Sequence, residues 1–376
     1  MPTHTLAAVP HDPRARFAAP PVRPQRGAIA ILAVILLPIL LMVSAFAVDI
    51  ANLMLVKNEL QNAADSAAQA GAQCLYPRAE CFNTLSTAPD WATSQTRASL
   101  AVTQNASQGA ALATGVVTSG YWNLTGTPGT MQLLPHTPTA NEAPAIQVTI
   151  TKQSGKNGGS VVLYLAGLMG LATSDVSATA VSVVTSPGVE GPGGLFPFAV
   201  TKCMYDLYWD STTAKPKLAT ATTLFGVPQV IGKPWVFHLG AAIYTPCDGG
   251  EWTSFALDDN NVPVIKGLIA NGNPTTLAIG DQTWIEPGSK TALYPVVAAC
   301  SAAGDKSCEY VTMPVTTSAN SKGEQAILAF GCIRILDAVG GSGKYIAVQM
   351  DNTCPNPEGG GTGPNYGVRN NPRLAL

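Results

Sequence analysis

Residues Gly27–Ala72 read GAIAILAVILLPILLMVSAFAV followed without a break by DIANLMLVKNELQNAADSAAQAGA, and this stretch decides how the chain is organised. Its first part, Gly27 to Val48 with Pro38 inside, holds 22 residues and no charge. A helix of that length is about 33 Å long, enough to cross the hydrocarbon core of a bilayer. The pattern predicts a transmembrane helix over 27–48. Beyond it, Leu53, Val56, Leu60, Ala63, Ala67 and Ala70 fall at alternating three- and four-residue steps, a heptad seam, while Lys57, Glu59, Gln61, Asn62, Asp65 and Gln69 take the other faces. Nothing before Gly71 and Pro77 stops a helix, so an amphipathic stalk is expected over 49–76. The small seam residues predict close helix-on-helix docking to a partner.

Working outward on the N-terminal side, Arg14, Arg16, Arg23 and Arg26 precede the span against a single acid, Asp12. Basic flanks stay cytoplasmic, which predicts that residues 1–26, a Pro-containing disordered tail, lie inside and the bulk of the chain outside. A cleaved signal peptide is the rival reading. It is disfavoured because the apolar run is longer than a signal core and the helical pattern continues past Val43-Ser44-Ala45.

Only 12% of the residues are charged and the net charge is −2, while Gly and Pro number 36 and 29. This composition suits an exported, turn-rich chain and gives no basic face for nucleic acid. All eight cysteines lie beyond the span, as an oxidising compartment favours. Cys74 with Cys81 and Cys300 with Cys308 are the closest pairs in sequence and the first candidates for disulfides, although spacing alone leaves 105 connectivities open.

Taken together, Gln25-Arg26-Gly27, the span with Pro38, Ala47-Val48-Asp49 and the block Leu60-Gln61-Asn62-Ala63-Ala64-Asp65-Ser66-Ala67-Ala68 resemble the N-terminal segment of TadG-like proteins of Tad (Flp) pilus assembly. Gly249 to Phe255 and Gly267 to Pro274 are similar to the C-terminal region of some of them. The resemblance implies a bacterial inner-membrane, single-pass assembly protein whose partners are other pilus-assembly or pilin-like membrane proteins. Type IV pilins carry a Glu five residues into the mature helix. Here Ala28, Ile29, Ala30, Ile31 and Leu32 follow Gly27, which separates this chain from processed, polymerising subunits.

Further along, a helix is expected from Asp90, its N-cap, to about Gln108, and strands over 115–122, 145–152 and 175–184. The apolar run Val161–Leu171 is too short to span and is expected as a core helix. These pieces predict a small α/β module over 77–185. Residues 186–194 read as a linker, 195–350 as a β-rich exported domain of sandwich type with one helix at 262–270, and 351–376 as a flexible tail. The fold class is therefore α+β, with a transmembrane helix continuing as a stalk, a small pilin-like module and a mainly β C-terminal domain.

No catalytic set can be drawn. His4 and His11 lie in the tail, His136 in a loop and His238 at a strand end, with no Ser/His/Asp or HExxH arrangement. Asp175-Val-Ser-Ala-Thr179 has the D-x-S-x-T form of a von Willebrand A metal site but falls inside a strand pattern. Asp258 and Asp259 could offer oxygens to calcium, though an acidic turn ahead of a helix is the simpler reading. No cofactor, metal or small-molecule substrate is expected. The favoured function is a non-catalytic, membrane-anchored component of Tad/Flp-type pilus assembly or secretion. The alternative is an anchored, adhesin-like binding protein using exposed aromatics such as Tyr205 to Trp209, or Trp252.

Overall fold

The computed structural model describes residues 26–375 apart from 77–78, 82–87, 127–128, 140, 212, 241–242, 245–246, 260, 286, 289, 319–321 and 357–358. The chain is α+β: a long apolar N-terminal helix is followed by a mostly β remainder with short helices. It divides into two compact units, one formed by the described residues up to Asn52 with Leu163–Ala172, the other by Leu53–Val162 with Thr173–Leu376.

One uninterrupted helix, Arg26–Gln73, realises both halves of the deciding stretch, with Pro38 accommodated inside it. At 48 residues it is about 72 Å long. In the first unit its apolar side chains from Ile31 to Val48 point outward on every side; Val34 is 72% exposed and Met42 64%. A helix that is apolar all round and left uncovered by the described residues suits an apolar surrounding.

In the second unit the same helix becomes one-sided. Val56, Leu60, Ala63, Ala64, Ala67, Ala68 and Ala72 are buried against Ala98 and Val102 of a second helix, Trp91–Thr103, and against Ile146, Val148, Ile150, Ala178 and Ala180 of a sheet. Asp90 caps the second helix, accepting the Thr93 N–H at 3.0 Å. The helix ends at Thr103 rather than near Gln108 because the Asn105 side chain takes the Ala101 carbonyl at 2.8 Å and breaks the ladder. At Gly71 the two helices and the sheet approach closely. A Cβ there would stand 2.8 Å from the Ala98 Cβ and 3.0 Å from the Ser94 carbonyl oxygen.

That sheet is antiparallel throughout, in the order Arg373–Leu374, Val176–Val183, Glu142–Lys152, Val116–Asn123, Met131–Leu133. Period-2 alternation sends Ile146, Val148 and Ile150 to the helices and Ala143 and Ala145 to the other face, where they pack with Trp122, Val181 and Val183. The end strand comes from the segment expected to be loose. Arg373 pairs with Val183 and Leu374 with Ser182.

A second core is built on a six-stranded sheet in the order Val236–Leu239, Tyr345–Met350, Ala329–Val339, Tyr310–Thr316, Phe198–Thr201, Gly250–Trp252. Its one parallel pairing joins Phe198–Thr201 to Tyr310–Thr316. Helices Lys202–Tyr208, Val262–Asn271 and Tyr294–Cys300 contribute Met204, Tyr205, Ile265, Leu268, Tyr294 and Val297 to its core. The C-terminal segment closes this core as well: Tyr366 stacks on Tyr205 at 4.4 Å, and Trp209 donates its indole N–H to the Asn365 carbonyl at 2.9 Å. The Gly-rich stretch 186–194, expected as a linker, holds the middle strand of a small sheet, with Val189–Glu190 between Leu277–Ala278 and Gly359–Gly360. Glycine and proline marked turns here, and the backbone between them still found partners.

All eight cysteines are paired, as Cys74–Cys81, Cys203–Cys247, Cys300–Cys308 and Cys332–Cys354. The two close pairs expected from spacing are among them.

Glu251, on the edge strand of the six-stranded sheet, is buried, and among the described residues its Oε2 has no hydrogen-bond partner. Burial is the main cause that pushes its carboxyl up to about 7, against a smaller opposing pull from the Gly288 backbone. The folded state therefore holds the proton more tightly than the unfolded chain. The stabilisation is complete below the ordinary value of 4.5 and is lost as pH rises towards 7. A shift of this size is worth about 3 kcal/mol. Glu251→Gln should raise the thermal midpoint at pH 8 and change it little at pH 4, as scanning calorimetry across pH would register.

Candidate functional site

The site that the sequence and fold single out is the N-terminal helix and what surrounds its exit from the apolar stretch. Among the described residues it is the one helix long and apolar enough to cross a membrane. Gly27 and Pro38 lie within it, and Val48, the last residue of the span, is 56% exposed. Of the four arginines expected to set topology, Arg26 begins the helix, while Arg14, Arg16 and Arg23 lie outside the described residues.

Asp49 follows the span immediately and is buried, at 2% exposure. Its carboxylate accepts three backbone N–H groups, from Tyr164 at 2.7 Å, Leu165 at 2.8 Å and Ala166 at 2.9 Å. Charge-assisted hydrogen bonds of this kind are stronger than neutral ones and hold the 163–172 segment to the helix where its apolar span ends. Asp49→Ala should leave those three N–H groups without an acceptor. In hydrogen-exchange mass spectrometry the 164–166 amides are expected to lose protection while those of Glu142–Lys152 keep theirs.

The clamped segment is not the core helix expected from its apolar sequence. It forms a 3-10 turn, Ala166–Met169, closed by Gly170 at φ 90°, with Leu171 N–H bonded to the Ala166 carbonyl at 2.8 Å. Tyr164, Met169 and Leu171 are 70%, 80% and 66% exposed. Two glycines in so short a run prevent a stable helix, so the run loops out and leaves its apolar side chains uncovered.

The heptad seam is also corrected in its role. Val56, Leu60, Ala63 and Ala67 are fully buried in the chain's own core, with Leu53 and Ala70 partly buried against it. Their neighbours are the second helix and the sheet, which occupy the place expected for a partner helix. The polar flank is tied in too. Glu59 accepts the Ser107 hydroxyl and the Gln108 N–H, both at 2.8 Å, and the Lys57 ammonium donates to the Ser177 carbonyl.

The aromatic contacts of the adhesin alternative lie inside. Tyr205, Trp209 and Trp252 are all buried in the second core.

Elsewhere the structure brings together groups that the sequence did not connect. Tyr76, Tyr121, Glu142 and Arg369 line a cleft of about 220 Å³. The Arg369 guanidinium lies 3.5 Å from the centre of the Tyr76 ring. Burial pushes the Tyr76 hydroxyl upward in pKa and lowers Arg369. Glu142 accepts the Thr139 N–H at 2.7 Å and lies 2.9 Å from His136 Nε2. These partners outweigh the upward push of burial and hold its carboxyl below the ordinary value. His238 stacks on Tyr345 at 3.6 Å, and burial lowers its pKa. Asp175 accepts the Ser160 hydroxyl at 2.5 Å. Asp259 accepts from both the backbone and side chain of Asn261, which caps helix Val262–Asn271. Among the described residues no cluster of three or more His, Cys, Asp or Glu could hold a metal ion.

A long N-terminal helix whose apolar part, Ile31 to Val48, is exposed is compatible with a single-pass membrane anchor. Two family models match overlapping stretches: residues 27–73 match the Flp pilus-assembly TadE/G-like family and residues 60–182 the Tad-like Flp pilus-assembly family. The first part of the chain is thus TadG-like, similar to Tad (Flp) pilus-assembly proteins, and its apolar N-terminal helix fits a membrane-anchored pilus component. The two matches together cover less than half of the chain. Comparison with curated proteins and with solved structures found no match.

Proposed function

We propose that this chain is a non-catalytic, single-pass inner-membrane component of Tad/Flp-type pilus assembly or of the associated secretion machinery. Its N-terminus faces the cytoplasm and the bulk of the chain faces the periplasm, where four disulfides are chemically at home. Docking to other pilus-assembly or pilin-like membrane proteins runs through the apolar part of the helix.

The observation that carries this reading is the contrast along one helix. Inside the region matched by the pilus-assembly families, the seam is consumed by the chain's own core while every face from Ile31 to Met42 stays open. Within a bilayer, helices associate by van der Waals packing and need no polar face to do so.

Deleting the gene in its native host, with complementation by the intact chain, tests the role. Loss of surface fibres and of exported pilin, restored by the intact chain, is expected. Unchanged fibres and unchanged export would contradict it.

A further inference from the structure

We infer that the Leu163–Ala172 segment is a second membrane contact, an apolar loop that dips into the outer leaflet beside the exit of the N-terminal helix without crossing. The inference rests on the anchor reading above and concerns a different surface.

The stretch Val161–Ala172 contains no charged residue. A run of this length is too short to span, which leaves a core helix or an interfacial segment. The core-helix option is gone, since Val162, Tyr164, Met169 and Leu171 are all more than half exposed. Left in water, this would be an apolar patch of a kind that marks a binding surface.

Its position selects the occupant. Asp49 is the first residue after the apolar span, and its carboxylate holds the backbone of 164–166 directly, within the same compact unit. The loop is therefore fixed at the level where the helix leaves the hydrocarbon. On the helix beside Asp49, the apolar Phe46, Val48 and Ile50 are exposed as well, at 54%, 56% and 39%. A tyrosine in such a loop suits the headgroup level, where amphipathic rings collect.

A loop can enter lipid only if its backbone polar groups are satisfied internally. Here Leu163 N–H bonds to the Ala172 carbonyl, Gly170 to Gly167 and Leu171 to Ala166, while Tyr164, Leu165 and Ala166 all donate to Asp49. The same three bonds satisfy the Asp49 carboxylate at the membrane edge, where an unpaired charge would be costly. One geometry thus serves both the acid and six of the loop's backbone N–H groups.

The test uses the full chain reconstituted in phosphatidylcholine and phosphatidylglycerol vesicles. A single added cysteine at Met169→Cys, Leu171→Cys or Val34→Cys carries an environment-sensitive fluorophore, and each is challenged with brominated lipid and with aqueous iodide. Blue-shifted emission at Met169→Cys and Leu171→Cys, with strong loss to shallow-brominated lipid and little to iodide, is expected. Emission lost to iodide and not to brominated lipid places the loop in water and overturns the inference. Protection from both quenchers, the signature of contact with a second copy, overturns it as well. Val34→Cys separates the two claims: quenching there by deep-brominated lipid with none at 169 and 171 leaves the anchor standing and removes the loop. Absence of quenching at Val34→Cys removes the anchor and the loop with it.

Discussion

Ala67→Asp is expected to unfold the packing of the stalk against its sheet, with a loss of at least about 4 kcal/mol. Ala67 is fully buried in a cluster made of Val, Ile, Leu and Ala side chains. A carboxylate placed there either stays ionised without a partner or takes up a proton, and both are costly in an apolar interior. Asn62→Asp, which adds the same charge to an exposed position on the same helix, should stay within about 0.5 kcal/mol of the parent. Denaturant unfolding of the purified chain in detergent separates the two. If Ala67→Asp left the purified chain as stable as its parent, the seam would be an unoccupied face after all, as its heptad spacing alone suggested.

Removing the Cys203–Cys247 bond by the double Cys→Ala change is expected to cost about 4 kcal/mol, more than removal of either nearby pair. Its sequence separation of 44 exceeds the 22 of Cys332–Cys354 and the 8 of Cys300–Cys308, so it restrains the unfolded chain most. It also ties the start of helix Lys202–Tyr208 to the residues leading into the edge strand Gly250–Trp252. The guanidinium midpoints of the three double variants should fall in the order of loop length. Equal midpoints for all three would mean that native contacts, and not chain entropy, set their worth.

Much of the fold was legible because its signals are local. The uncharged span, the helix cap at Asp90 and the alternation in Ile146, Val148 and Ile150 each fix an element from its own neighbours. The helix expected at 262–270 likewise runs Val262–Asn271 and ends ahead of Gly272, at φ 71°. What could not be read was who covers whom. The seam residues announce burial, but periodicity carries no information on whether the cover is another chain or a strand a hundred residues away. The tail from Gly359 looked loose because Gly, Pro and Asn prevent long strands, yet short pairings at Val189, Val183 and Ser182 hold it. Tyr205 and Trp209 stand among polar residues, and their burial depends on Tyr366 and Asn365, which no local pattern links to them.

The candidate site was half legible for the same reason. Asp49 was visible as the charge that ends the span, whereas its three N–H donors come from residues 164–166. The apolar run at 161–171 suggested a core helix by composition; Gly167 and Gly170 were the warning that it would turn instead.

Photo-cross-linking in native envelopes tests the central claim most directly, with a genetically encoded cross-linker placed one position at a time along Arg26–Gln73. Adducts to other pilus-assembly membrane proteins are expected from Val34, Leu37 and Leu41, and only internal adducts from Ala63 and Ala67. Partner adducts confined to Ala63 and Ala67, with none from the apolar half, would contradict it.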